Sequence, residues 1–272
     1  MSRFNYSSQR RLILVFWALA FSALRLFAQV SLTIAYEDKE QPPYYMGNSS
    51  TVLPELPGLA VELVQALAEK VPGISIQLVR VPWSRCVAGL GNNSYDGIFN
   101  ASYSEARLQL GWYPTLDNTL RGPVDVSRQI TTIAYSLYVH RSSGLQWDGS
   151  GLPEAGLTVG APLGYSIVAD LRSMGVKVAE VSGTTNLLDM LELNRLQVVA
   201  LQAVTADALL RDYPQRYRNV VKLEPPVVSK PYYLMLSHGF VNRNPLLARQ
   251  IWQALKDLRE ERFDELLEKY RE

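Results

Sequence analysis

Residues 82–107 read PWSRCVAGLGNNSYDGIFNASYSEAR, and this stretch decides the fold class. Pro82-Trp83-Ser84 punctuates the chain, and Ser84 stands where the cap of a short helix running to Leu90 is expected. The apolar run Gly97-Ile98-Phe99 predicts a buried strand around Gly97–Asn100, which leads into Asn100-Ala101-Ser102. Glu105-Ala106-Arg107 is then expected to start the next helix. Open α/β sheets bind ligands in loops beyond the carboxyl ends of such strands. Arg107 near a helix N-terminus would add a guanidinium fork to free backbone N–H groups, an arrangement suited to a carboxylate. The alternative is that Arg107 pairs with a surface acid.

Working outward toward the N-terminus, Ile74–Val81 alternates, with Ile74, Ile76 and Leu78 on one face of a strand. Leu59, Leu63, Leu67 and Val71 are spaced by four and predict a helix opened by Gly58 and closed by Pro72-Gly73. Val30–Tyr36 is a second alternating strand, separated from that helix by the loop 37–50 (EDKEQPPYYMGNSS). The order strand, loop, helix, strand, helix, strand predicts a largely parallel sheet covered by helices.

Toward the C-terminus, residues 108–132 are irregular, and Thr131–His140 is strand-like. A second series begins near residue 134. It comprises a strand at Leu157–Ala161, a helix at Ile167–Met174, a strand at Val176–Val181, a helix from Gly183 to Asn194, a strand at Val198–Leu201 and a helix at Thr205–Arg211. Tyr232–Ser237 is a further strand. Asn244-Pro245 then predicts a helix start, with Leu247, Ile251, Trp252, Leu255 and Leu258 on one face. A last amphipathic helix holds Phe263, Leu266 and Leu267. Two α/β halves of roughly 100 residues each fit the length.

Composition excludes several classes. A net charge of +1 over 272 residues leaves no basic footprint for nucleic acid. Cys86 is the single cysteine, so no intrachain disulfide or multi-cysteine metal site is available. His140 and His238 lack ligand spacing, and neither a metal nor a cofactor is expected. There is no Gly-x-Ser-x-Gly elbow, and residues 160–166 lack the Gly-Lys-Ser/Thr ending of a phosphate-binding loop. The charge is unevenly spread, however. Residues 1–28 hold Arg3, Arg10, Arg11 and Arg25 and no acid, which leaves 23 basic against 26 acidic side chains downstream, a balance of −3. Arg10-Arg11, the uncharged run Leu12–Leu24 and a small residue at Ala28 describe a secretory signal peptide over 1–28. An uncleaved N-terminal anchor is the alternative. The mature chain, near 29–272, is expected in the periplasm.

Tyr95-Asp96-Gly97-Ile98 followed by Ser102-Tyr103-Ser104-Glu105-Ala106-Arg107 resembles the bacterial extracellular solute-binding proteins of family 3, the amino-acid-type binding proteins of ABC transporters. Gly58–Leu63, Leu157–Ser166 and Lys230–Phe240 resemble further family segments in the same order, so the resemblance spans the mature chain. It implies a two-lobed type II periplasmic-binding-protein fold with two hinge crossings. Each lobe would be a mixed, mostly parallel sheet flanked by helices: lobe 1 from 29–132 and 236–272, lobe 2 from 133–235. It also implies that Arg107 binds a ligand carboxylate, with Ser102 and the backbone around Asn100 and Ala101 beside it. Gly164, Tyr165 and Ser166 would supply N–H or hydroxyl donors from lobe 2. Tyr36, Tyr44, Tyr45 and Trp83 could form aromatic walls, or some could be core aromatics. The family often places an aspartate for the ligand's ammonium group after a lobe 2 strand; here Gln202 stands there, without a countercharge. The implied partners are a small carboxylate-bearing ligand and an ABC permease or membrane sensor, with the protein a monomer. The alternatives are an enzyme of dehydratase type, for which Glu37 and Glu62 are the nearest acids, and a ligand-independent module with a degenerate site.

Overall fold

The computed structural model describes residues 29–151 and 157–270. The expected signal peptide, 1–28, lies outside the described residues. The first half contains β1 (Val30–Glu37), α1 (Leu59–Gln65), α2 (Leu67–Lys70), β2 (Ile74–Val81), α3 (Trp83–Gly91), β3 (Gly97–Ser102) and β4 (Gly111–Trp112). Next come β5 (Thr131–His140), β6 (Thr158–Pro162), α4 (Ser166–Ser173), β7 (Lys177–Val181), α5 (Thr184–Glu192), β8 (Val198–Gln202), α6 (Ala203–Asp212) and β9 (Val220–Lys222). The chain closes with β10 (Val228–Ser237), α7 (His238–Arg243) and α8 (Pro245–Lys269).

One sheet runs through both halves, in the order β2-β1-β3-β10-β5-β8-β6-β7, with β4 added on β10 and β9 on β5. The pairs β1–β2, β1–β3, β6–β7 and β6–β8 are parallel, as helical crossovers require. The strands β5 and β10 are the antiparallel exceptions. They pair over Thr131–Tyr135 against Val228–Tyr232, and then diverge. The far end of β10 joins β3, and the far end of β5 joins β8. These two strands are therefore the backbone links between the halves.

Alternation builds a core on each face of the sheet. Leu32, Ile34 and Tyr36 of β1 face α1 and α8, whereas Ala35 faces α3, with Cys86 and Leu90. In the second half Val198 and Ala200 join the continuous cluster, and Val199 and Leu201 face α5 and α6. Trp252 fixes α8 to the sheet by donating from Nε1 to the Leu234 carbonyl at 2.9 Å. Complete burial of side chains such as Leu32, Leu63 or Leu255 contributes roughly 1.5–3 kcal/mol each.

Several local expectations need correction. The helix expected from Gly58 to Val71 is broken at Ala66 into α1 and α2. Pro82, extended at φ −51 and ψ 141, sits at the N-cap of α3 in place of Ser84, because the helix begins directly after it. Asn244 does occupy the N-cap of α8, yet its side-chain Nδ2 donates backward to Phe240 O and does not cap the helix. The two expected C-terminal helices are one, α8. No α-helix starts at Glu105: residues Glu105–Gln109 form a 3-10 turn, cut short by β4, which pairs with Leu236 and Ser237 of β10. Gly111 permits that approach, since a Cβ there would lie 2.7 Å from the Leu236 carbonyl oxygen.

Candidate functional site

The carboxyl ends of β1, β3 and β8 point toward one cleft between the halves. It is lined by Glu37, Gln41, Tyr45, Trp83, Asn100, Ser102 and Arg107 from the first half, and by Tyr135, Tyr165, Ser166, Gln202 and Tyr232. In this arrangement the side chains close on one another, leaving room for no more than about one water molecule.

Arg107 is the cationic centre. The residue is 8% exposed, and its guanidinium makes no ion pair with any described residue. Nη1 donates to the Ser102 carbonyl at 2.8 Å and to Ser102 Oγ at 3.3 Å, and Nη2 donates to the Gly164 carbonyl at 3.2 Å. The guanidinium carbon stands 5.3 Å from the centre of the Trp83 ring. Neutral dipoles and one aromatic face thus hold a buried positive charge, which is the chemistry of an anion receptor. Because residues 105–109 form only a 3-10 turn, Arg107 offers its side chain without the expected α-helix N-terminus beneath it.

Asn100 owes its position to an irregularity in β3. The register against β10 slips between Tyr233 and Met235, so that Ala101 and Ile98 oppose them with one extra residue on β3. Asn100 takes up the slip at φ 56, a left-handed conformation that asparagine tolerates. The bulge turns its amide into the cleft, where both amide atoms are buried without a hydrogen-bond partner. Ala101, the next residue, is buried against Trp83 and Tyr233 and does not line the cleft.

The second half reaches across through residues 164–166. Ser102 Oγ donates to Ser166 Oγ at 2.6 Å, and Trp83 Nε1 donates to Gly164 O at 3.2 Å. Gly164, at φ 73, presents its carbonyl and not the expected N–H; the N–H is engaged by Glu180 Oε2 at 2.9 Å. The Tyr165 hydroxyl donates to Glu37 and also accepts from Gln41. Gln202 ends β8 and is 2% exposed. Its Nε2 donates to Tyr232 Oη at 3.0 Å and Tyr135 Oη at 3.4 Å, and the two phenol oxygens are 2.6 Å apart.

Glu37, the last residue of β1, faces this wall. Its Oε2 also accepts from Gln41 Nε2 at 2.8 Å and Tyr45 Oη at 3.3 Å. Burial pushes its carboxyl up to about 7, against the opposing pull of the Tyr165, Tyr45 and Gln41 hydrogen bonds. Burial likewise keeps the Tyr45, Tyr135 and Tyr165 phenols protonated, well above their ordinary range.

The structure brings together Arg107, Ser102, Asn100, Trp83, Tyr165, Ser166 and Gln202, with Gly164 at the edge through its carbonyl. It leaves Tyr36 and Tyr44 out. Tyr36 is a core residue stacked on Phe99 at 4.9 Å, and Tyr44 is buried with its hydroxyl receiving Thr131 Oγ1 at 3.2 Å. Tyr36 is the penultimate residue of β1, and strand alternation sends it to the face opposite Ala35. Glu62 is also remote, on α1, where it pairs with Lys269 at 2.8 Å. Sequence reasoning did not place Gln41, Tyr135 or Tyr232 at the site, and weighed Glu37 only as a nearby acid. The position of Glu37 at the carboxyl end of the first strand was the available signal.

A continuous sheet, two antiparallel linking strands and a cleft at the carboxyl ends of parallel strands define the type II periplasmic-binding-protein fold. The chain belongs to the bacterial extracellular solute-binding proteins, family 3, whose model matches residues 32–272. No curated protein sequence matches it significantly. Among solved structures it is similar to a histidine kinase sensor domain with similarity to periplasmic binding proteins, at TM-score 0.68 and 18% identity, covering 89% of this chain and 96% of that one. It is also similar to a putative ABC transporter binding component from Wolinella succinogenes complexed with lysine, at TM-score 0.66 and 16% identity, covering 88% and 95%. A third is the ancestral amino acid-binding protein AncCDT-1, a precursor of cyclohexadienyl dehydratase, at TM-score 0.64 and 15% identity, covering 88% and 94%. At these identities the likeness is one of fold.

Proposed function

We propose that this protein is a periplasmic receptor that captures a small carboxylate-bearing ligand, amino-acid-like or an organic acid, and presents it to a membrane partner. The observation that carries this reading is Arg107, a buried guanidinium with no acid partner among the described residues, at the centre of an interlobe cleft. Its charge is held in place yet left without a counterion, so an incoming carboxylate gains a charge-assisted pair and displaces only weaker neutral contacts. Lobe 1 is 29–132 and 236–272, lobe 2 is 133–235, and β5 and β10 form the hinge. In this arrangement the cleft has room for no more than about one water molecule, so in this reading the lobes part before a ligand enters. Ligand then favours the closed state by bridging Arg107 and the 164–166 loop. Similarity to an ABC transporter component and to a histidine kinase sensor domain supports either a permease or a sensor as partner.

A thermal-shift screen of amino acids, organic acids and short peptides tests this, with Arg107→Ala as the control. A stabiliser recovered unchanged, whose effect is lost in Arg107→Ala, is the expected result; an equal shift in that variant removes Arg107 from the binding role. One observation favours a second reading. Glu37 is an acid in the cleft with its carboxyl raised to about 7, a range suited to a general acid or base, and a dehydratase precursor shares the fold. Appearance of a new product in the same screen would establish the enzyme.

A further inference from the structure

We infer that the ligand of this cleft is a net anion whose group next to the carboxylate is a neutral hydrogen-bond donor, a hydroxyl or an acylated amine N–H, and not a primary ammonium. The inference rests on the carboxylate-receptor reading of Arg107 and deepens it.

The charge balance of the cleft comes first. Arg107 contributes an unneutralised positive charge. Glu37 is the one acid among the lining residues, and its Oε2 already accepts from Gln41, Tyr45 and Tyr165. Gln41 and Tyr45, which donate to its Oε2, come from its own half of the molecule and move with it when the cleft opens. Its burial also keeps it partly protonated near neutral pH. A second cationic group on the ligand would therefore find no full countercharge awaiting it.

The unpartnered polar atoms point the same way. Tyr232 and Tyr135 hold the Nε2 of Gln202, which fixes the amide so that Oε1 is left buried without a partner. Asn100 offers an unpartnered Oδ1 and Nδ2 from the β3 bulge. Both residues line the cleft and are at least 95% buried, at 2% and 5% exposure. Such neutral amide oxygens satisfy an O–H or N–H one for one. An ammonium in the same place would face amide dipoles and a partly protonated carboxyl, with no full negative charge to offset its desolvation. An acylated amine also has a carbonyl to accept from Asn100 Nδ2, so it complements both kinds of orphaned atom.

The test is isothermal titration calorimetry of the protein with matched sets that differ only at the α group. Suitable sets are L-alanine, L-lactate and N-acetyl-L-alanine; L-glutamate, L-2-hydroxyglutarate and N-acetyl-L-glutamate; and L-phenylalanine, L-phenyllactate and N-acetyl-L-phenylalanine. In any set that binds, the hydroxy or acylamino member should bind about tenfold or more tightly than the ammonium member, a difference of about 1.4 kcal/mol. Gln202→Glu, which adds a charge in the same shape, should narrow or reverse that order. An ammonium member that binds as tightly as its neutral counterparts overturns the inference while leaving the carboxylate receptor standing. Failure of every member of every set overturns both. The wild-type comparison decides the matter even if the Gln202 variant does not fold.

Discussion

Two buried arginines, in two regions of this molecule, hold their charge in different ways. Arg80, on β2, is 2% exposed, and Arg107, beside β3, is 8% exposed; neither forms an ion pair with a described residue. Arg80 is saturated. It donates to the carbonyls of Glu37 (3.3 Å), Met46 (2.9 Å), Thr51 (3.3 Å) and Gly47 (2.6 Å), and lies 5.1 Å from the centre of the Tyr36 ring. Every one of those partners belongs to the β1 end and the loop after it, so they remain in place whatever the second half does. Arg107 is shared. Its partners are Ser102 on one side of the cleft and Gly164 on the other, so its environment depends on closure. A guanidinium surrounded by fixed carbonyls is a structural pin; one that spans a gap suits the receptor role proposed for Arg107. The pin also serves the site, since the loop it fastens carries Gln41 and Tyr45.

The sharpest way to break this contrast is Arg80→Met. It leaves several carbonyls facing an apolar side chain and should destabilise the fold by about 3–5 kcal/mol in urea unfolding. The matching Arg107→Met should change stability by less than about 1 kcal/mol, because only the Ser102 and Gly164 carbonyls lose a donor, the second of them across the cleft, and the cost of burying the charge is relieved. Similar losses from both would show that Arg107 is a structural pin as well.

Glu37→Gln probes the wall between the two regions. The carboxyl of Glu37 is raised in the folded state from about 4.5 to about 7, so the folded protein holds the proton more tightly than the unfolded chain. Its contribution is therefore fully present below about pH 4.5 and is lost as pH rises through about 7. Across that window wild-type stability should fall by about 1–3 kcal/mol relative to Glu37→Gln. Parallel pH profiles for the two proteins would mean that the carboxyl does not titrate in the fold as its burial requires. A separate effect, on closure and not on global stability, is expected from Tyr165→Phe, which removes the hydroxyl that joins the second half to Glu37. Closure should weaken by about 1 kcal/mol, seen as a larger radius of gyration by small-angle scattering. An unchanged radius would separate that contact from closure.

Much of the fold was legible because it depends on local periodicity. The alternation of Val30–Tyr36 and Ile74–Val81, and the apolar runs at Gly97 and Val198, set which strands exist and which faces they bury. The strand at 232–237 was read too short because Val228–Pro231 carries no apolar alternation; its extension comes from pairing with β5. Within the site, Arg107 and Ser102 could be read from residue types following a strand, whereas Gln202 was marked only by the family resemblance. Tyr36 and Tyr44 could not be separated from Tyr45 in this way, because an aromatic ring suits a core and a cleft wall equally.

What the amino-acid sequence determined by itself was the order of most strands and helices, the two-part α/β architecture, and an arginine beyond the third strand. Those features follow from side-chain period and turn chemistry, which act over a few residues. Only the tertiary structure decided that Glu37 joins the site, that Gly164 turns its carbonyl inward, and that Tyr135 and Tyr232 bind the Gln202 amide. Those contacts link residues 30 to 128 positions apart. Their existence depends on how β5 and β10 align and on the bulge in β3, geometry that no local pattern encodes.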